Sequence, residues 1–277
     1  MRKDRLFLIL TILLSAVSCI YSSQGIITKE MSINIHGIEW PFEMLSESEY
    51  TTEIGCRLDT GAVDIVFCLD TTGSMGGTLS AVKTAISGLV TELEARSYDY
   101  RLGGVTFGDG ARTWDFDTSI PGAQMTGNAT AFRTKLNSTN ATGGDDTPET
   151  ALDCMHSAMY NYDWRFGALH ILIFFTDASF CQAGDGCFDC VSPYTAAGVL
   201  SDLLTGGFIL FSATSNPVYS STCETYTGAA ATTWYQNTST ATGGQWYPIS
   251  TPWSTIFDDV VALLNIYEAI NMNVTNN

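Results

Sequence analysis

Residues 63–75 read Val63-Asp64-Ile65-Val66-Phe67-Cys68-Leu69-Asp70-Thr71-Thr72-Gly73-Ser74-Met75. The run from Val63 to Leu69 is apolar but for one residue and rich in β-formers, which is how a strand covered on both faces reads. It stops abruptly at Asp, Thr, Gly and Ser. Leu79, Val82, Ile86, Leu89 and Leu93 then recur at spacings of three and four, one face of an amphipathic helix. A doubly buried strand, a polar turn and a helix make the opening unit of a parallel sheet.

The alternation continues outward from that unit. Tyr98 to Phe107 reads as a strand and Thr113 to Ser119 as a short partner or edge strand. Thr130 to Leu136 suggests a short helix, and Gly143-Gly144-Asp145-Asp146 a loop. Pro148 suits the first position of the next helix, with Asp146 or Thr147 as cap and Glu149 in its first turn. His170 to Thr176 is the strongest buried strand. Ala196 to Leu204 is helical, Gly207 to Ser212 is a further strand, and Trp246 to Ile249 a last one. Phe257, Val260, Val261, Leu264, Tyr267 and Ile270 mark a closing helix. The order implies an α/β fold: a doubly wound, mostly parallel sheet with helices on both faces. Residues 24–60 are mixed and weakly patterned.

Composition narrows the function. The 277 residues carry 12 Lys and Arg against 29 Asp and Glu, a net charge of −17, so a nucleic-acid partner is not expected. Hydrophobic residues make up 45% of the chain, enough for a sizeable core.

Arg2, Lys3 and Arg5 precede an apolar run from Leu6 to Ile20, and Ala16-Val17-Ser18 fits a small-x-small cleavage site. Residues 1–18 therefore read as a secretory signal, 19–60 as an N-terminal extension, 61–270 as the main domain and 271–277 as a tail. Losing the first 18 residues takes the net charge to −19. No later apolar stretch approaches the ~20 residues of a bilayer-spanning helix. The expected location is secreted or at the extracytoplasmic cell surface, with a lipid anchor at Cys19 as the less favoured variant.

An oxidising compartment decides how the cysteines read. Cys68 and Cys154 fall in apolar elements and are expected as buried thiols. Cys181, Cys187, Cys190 and Cys223 fall in loop-like sequence and are disulfide candidates, with the connectivity open among three pairings. Cys56 either joins them or stays free, and zinc is the competing reading of Cys187-x-x-Cys190. Asn-x-Ser/Thr sequons stand at Asn128, Asn137, Asn140, Asn237 and Asn273. In a chain this rich in Asn and Thr they decide nothing alone.

Ligands of such sheets bind beyond the carboxyl ends of the strands. Three such places carry hard oxygen donors. The first strand ends in Asp70, Thr72 and Ser74, a later one in Asp177, and the loop before a helix supplies Asp145, Asp146 and Thr147. Few carboxylates with hydroxyls and retained waters suit a small hard cation, Mg²⁺ or Mn²⁺.

These segments resemble the von Willebrand factor type A (integrin I-like) domain and its metal-ion-dependent adhesion site. Asp70-Thr71-Thr72-Gly73-Ser74 is similar to the family's Asp-x-Ser/Thr-x-Ser. The apolar run before it resembles the first strand, and Thr106 to Asp109 the second strand and its exit. Phe175-Thr176-Asp177 is similar to the third motif. Gly143 to Glu149 resembles a variant second loop with Asp in place of Thr, and counting back five from Ala151 puts Asp146 at that place. The resemblance implies metal ligation by Asp70, Thr72, Ser74, Asp146 and Asp177, with Asp145 and Thr147 as supporting or alternative ligands. It also implies adhesion to a protein or extracellular surface ligand, through an acidic residue of the partner, and no enzymatic reaction. Three carboxylates on a divalent ion leave a local charge of about −1, so a further acidic ligand is less welcome than where Thr stands in the second loop.

Two other readings compete. Asp70 as the nucleophile of a Mg²⁺-dependent, phosphatase-like hydrolase lacks the expected Lys and Asp-x-Asp. A metal-free structural secreted domain would give no response to Mg²⁺ or EDTA. His36, His156 and His170 read as structural, and the late aromatics Trp234, Tyr235, Trp246, Tyr247 and Trp253 as packing rather than sugar stacking.

Overall fold

The structure is a computed structural model. It describes residues 30–35, 38–43, 62–144, 147–188 and 190–275, with side chains only from 62 to 267. The chain divides into two compact units, Met1–Arg57 and Leu58–Asn277. In the first, β1 (Glu30–Ile35) pairs antiparallel with β2 (Ile38–Glu43), with Ile33 opposite Trp40 and Ile35 opposite Ile38. The expectation of a weakly patterned segment is thus corrected. Met31, Ile33, Ile35, Ile38, Trp40 and Phe42 alternate with a period of two, the strand signature.

The second unit holds β3 (Ala62–Asp70), α1 (Gly76–Ala95), β4 (Asp99–Phe107), β5 (Arg112–Thr113), α2 (Ala129–Ser138), α3 (Ala151–Tyr160), β6 (Leu169–Ala178), α4 (Ala196–Thr205), β7 (Ile209–Tyr219), α5 (Gly228–Ala241), β8 (Trp246–Pro248) and α6 (Trp253–Thr275). The sheet order is β5-β4-β3-β6-β7-β8, and only β5 runs antiparallel. This is the mostly parallel, doubly wound α/β architecture expected from the sequence.

β3 is central, and all nine of its residues are buried. Alternate side chains serve the two faces. Val66 and Cys68 join Phe174 and Leu210 in a core closed by α3, α4 and α5. On the other face Phe67 meets Phe132 of α2, and Phe175 meets Trp253 of α6. α1 buries Leu79, Val82, Ile86, Leu89 and Leu93, the five periodic positions. Cys68 and Cys154 are buried free thiols. In β4, a Cβ at Gly104 would lie 2.4 Å from the Trp114 ring, so only glycine lets that ring lie against the strand.

Five elements differ from the sequence reading, the first being β7, which runs past Ser212 to Tyr219. The edge strand is two residues long, because residues after Thr113 turn away and Asp115 accepts from the amides of Asp117 and Gln124. α3 starts at Ala151 rather than at Pro148. Glu149 is held extended, its amide donating to the Ser179 carbonyl (3.0 Å) and its carbonyl accepting from Cys181 (3.1 Å). α5 was not apparent at all. Its buried side includes Thr232, Thr238 and Ser239 beside Ala231, Trp234 and Tyr235, so hydroxyls interrupt the apolar stripe. α6 runs on to Thr275, past the last apolar marker Ile270.

The four loop cysteines pair as Cys181–Cys190 and Cys187–Cys223. Cys187 and Cys190 belong to different bridges, which overturns the zinc alternative. Trp234, Tyr235 and Tyr247 are buried, in line with packing. His156 stacks between Tyr160 and Tyr194, and the ring of His170 meets the Arg165 carbonyl, both structural settings. His36, Cys19 and Cys56 lie outside the described residues.

Candidate metal centre

The site is assembled where β3, β4 and β6 end. Asp70 closes β3 and is wholly buried. Its Oδ1 accepts from the Thr72 amide (2.9 Å) and the Thr72 hydroxyl (2.6 Å), an Asx-type turn that bends the chain sharply out of the sheet. The turn passes through a short 3₁₀ segment, Gly73–Met75, and buried Met75 anchors its far end before α1 begins.

Backbone bonds strap the neighbouring segments to this turn. Thr71 donates its amide and hydroxyl to the Phe107 carbonyl at the end of β4 (2.9 and 3.0 Å). Thr142 donates to the Thr71 carbonyl (2.7 Å), and Gly73 to the Gly143 carbonyl (2.9 Å). Gly144 has φ +71°, and a Cβ there would lie 2.6 Å from the Thr72 methyl. Position 144 therefore requires glycine for both conformation and space.

The polar side chains lie in one contiguous cluster. Thr176 donates to Asp70 Oδ2 (2.6 Å), Thr72 Oγ1 lies 3.1 Å from Ser74 Oγ, and Ser74 donates to Asp177 Oδ1 (3.1 Å). The hydroxyl protons of Thr72 and Ser74 thus point at carboxylates, leaving oxygen lone pairs for an electron-poor ligand. Burial pushes the Asp70 carboxyl up, the bonds from Thr176 and Thr72 oppose the rise, and nearby Asp177 adds to it. Burial likewise raises Asp177 against the bond from Ser74.

Asp64, at the other end of the same strand, is an internal control. It is equally buried, yet Arg101 and Arg165 reach it at 2.6 and 2.8 Å. Burial pushes its carboxyl up, but bonds from Arg101 and from the amide and side chain of Arg165 outweigh that and hold it below the usual range. Among the described ion pairs none involves Asp70 or Asp177. Buried carboxylates are paired or bind metal, so the donor set fits a cation.

Of the residues named from the sequence, Asp70, Thr72, Ser74 and Asp177 come together. Thr147 is half-buried on the segment leading to α3. Asp145 and Asp146 lie outside the described residues. Among the described residues no three His, Cys, Asp or Glu side chains converge, and the described part of this centre has two carboxylates and a set of hydroxyls. Two residues have no site role of their own in the sequence reading. Thr176 holds Asp70 from the neighbouring strand, and only parallel pairing brings them side by side. Glu149 is 2% exposed, and a Cβ at Gly144 would lie 3.2 Å from its carboxylate.

Comparison with known proteins agrees with this architecture. The family model for the von Willebrand factor type A domain matches residues 64–197, just under half of the chain. Among solved structures, a von Willebrand factor type A protein from Catenulispora acidiphila superposes with a TM-score of 0.53 at 16% identity, covering 75% of this chain and 43% of that one. Proximal thread matrix protein 1 from the mussel byssus superposes with a TM-score of 0.52 at 15% identity, covering 74% and 46%. A second structure of that mussel protein, with zinc occupying its MIDAS motif, gives the same figures. This chain spans under half the length of these structures. No curated protein matches it. The family model thus covers just under half of the chain, and the solved structures, at 15 and 16% identity, are alike in fold.

Proposed function

We propose that this chain is an exported interaction module that captures a protein or surface ligand through a divalent cation, Mg²⁺ or Mn²⁺, at the carboxyl edge of the sheet. The contrast between Asp64 and Asp70 carries the reading. One strand buries an aspartate at each end; one end has two arginines, and the other has only hydroxyl and amide donors. Asp70, Thr72, Ser74 and Asp177 hold the cation, and Asp146 completes the set from the loop strapped beside Thr72. The family's domains are generally interaction modules, and the mussel protein's zinc-filled motif supports a divalent ion. When bound, the cation supplies a positive anchor for an acidic group of a partner. This chain's own residues hold that anchor and shape its rim.

The rim lies just past Asp177. The loop from Phe180 to Tyr194 contains the Cys181–Cys190 bridge and is tied through Cys187 to Cys223, and Phe188 within it is 97% exposed. A cross-linked loop presents its apolar tip without collapsing inward, which suits contact with a partner. Disulfides suit an oxidising compartment and therefore export. No helix among the described residues is long and apolar enough to cross a membrane. A nucleophilic role for Asp70 is disfavoured, since the carboxylate is wholly buried with both oxygens engaged.

The test is capture from the native surface or medium, with Mg²⁺ and with EDTA, comparing wild type and Asp70→Ala. Retention that needs both Mg²⁺ and Asp70 is expected; equal retention under all four conditions overturns the reading. Asp146→Thr removes one negative charge, so it is expected to weaken metal binding and to raise Mg²⁺-dependent affinity for the captured partner. No change in either measurement removes Asp146 from the site.

A further inference from the structure

In the sequence Thr176 merely closes an apolar run. In the structure it is wholly buried, and its hydroxyl has two partners: the Ala178 amide at 3.1 Å and Asp70 Oδ2 at 2.6 Å. An amide only donates, so the hydroxyl oxygen accepts there and its single proton goes to Asp70. The fold thereby sets the direction of the bond.

Asp70 needs such a second anchor. Its Oδ1 is held by the amide and hydroxyl of Thr72 within its own turn. The terminal torsion of an aspartate is broad, so bonds to one oxygen leave the carboxylate plane loosely defined. Thr176 secures the other oxygen from β6. The parallel register, with Leu69 opposite Phe175, brings the two residues alongside each other.

We infer that Thr176 is a positioning residue of the cation site, fixing the Asp70 carboxylate so that its Oδ1 stays with Thr72 and its charge faces the Thr72 and Ser74 hydroxyls. This rests on the cation reading above. Hydrogen-bond partners behind a metal ligand typically change metal affinity by about 10–100-fold when removed. Thr176→Val keeps the volume and loses the donor, and is expected to weaken Mg²⁺ binding by about tenfold or more. Thr176→Ser keeps the donor and is expected to bind as wild type does.

The experiment is calorimetric titration of the purified full chain with Mg²⁺ alone and with Mn²⁺ alone, for wild type, Thr176→Val and Thr176→Ser, with near-ultraviolet circular dichroism to confirm folding. Loss in Thr176→Val with recovery in Thr176→Ser supports the inference. Equal affinity in wild type and Thr176→Val overturns it and leaves the cation reading intact. Equal loss in both variants also overturns it, since the hydroxyl that Thr176→Ser keeps is then not what sets the affinity. No binding of either ion by wild type sinks the cation reading and this inference with it. If Thr176→Val does not fold, Thr176→Ala against Thr176→Ser decides by the same criterion, since both lack the methyl and they differ in the hydroxyl.

Discussion

Asp64 meets two arginines where Asp70, among the described residues, meets hydroxyl and amide donors, and the difference is open to measurement. The arginines on Asp64 are about three-quarters buried, with side-chain exposures of 24 and 25%. Removing one partner of a buried ion pair costs about 3–5 kcal/mol because the remaining charges are stranded. Asp64→Asn is therefore expected to lower unfolding free energy at neutral pH by roughly that amount, read by urea denaturation. The sign with pH follows from its depressed carboxyl. The folded state binds this proton less readily than the unfolded chain, so the contribution is full above the unfolded value of about 3.9 and is lost as pH falls through the folded one. The gap between wild type and Asp64→Asn should hold from about pH 7 to about pH 5 and shrink as pH falls below about 4; a gap that stays constant there excludes the ion pair as its source. Gly144→Ala belongs to the same scale. It forces a side chain into positive φ and into Thr72. A cost of about 1–3 kcal/mol is expected, with weaker Mg²⁺ binding than wild type in calorimetry.

At the scale of elements, the two bridges tie the segment after β6 in different ways. Cys181–Cys190 spans nine positions within one loop, whereas Cys187–Cys223 spans 36 and joins that loop to the one after β7. Gly186 donates to the Cys223 carbonyl and Thr225 donates to Asp185 across the same junction. Loop-closure entropy makes the longer bridge worth about 1 kcal/mol more than the shorter. Replacing each pair by serine and comparing urea midpoints tests this: Cys187→Ser/Cys223→Ser should be the less stable double variant. It should still bind Mg²⁺ like wild type, because Asp70, Thr72 and Ser74 are held by β4 and the segment around Gly143. Loss of Mg²⁺ binding would show that the cross-link also builds the metal centre. α3 illustrates why element boundaries were harder to read than element types. Pro148 carries a local start signal, but two strand ends claim the backbone of Glu149 and Thr150, and those bonds delay the helix.

For the whole molecule, a cation bound only by the folded state must stabilise it by linkage. At 100 times the dissociation constant the gain is about 2.7 kcal/mol. For a domain of roughly 200 residues that corresponds to a rise in Tm of about 5–10 °C. Thermal melts in Mg²⁺ and in EDTA should differ by this amount for wild type and coincide for Asp70→Ala. Coincident wild-type melts would favour the metal-free structural alternative. The net charge of −17 acts at the same scale, since it disfavours phosphate-rich partners and leaves cation capture as a means of meeting an acidic one.

The sequence by itself determined the parallel sheet, because strands covered on both faces need nearly continuous apolar runs, and Val63 to Leu69, interrupted only by Asp64, and Ile171 to Phe175 are such runs. It also exposed Asp70, Thr72, Ser74 and Asp177, because polar residues at the end of such runs stand out. It left α5 hidden, since buried Thr232, Thr238 and Ser239 interrupt its apolar stripe, and the hydrogen bonds of Thr232 and Ser239 leave no mark in a hydrophobic period. The tertiary structure alone decided the disulfide pairing, the partners of Asp64 and the contact between Thr176 and Asp70. Each depends on residues far apart in the chain becoming neighbours. Composition carries no distance information, and the register between strands does.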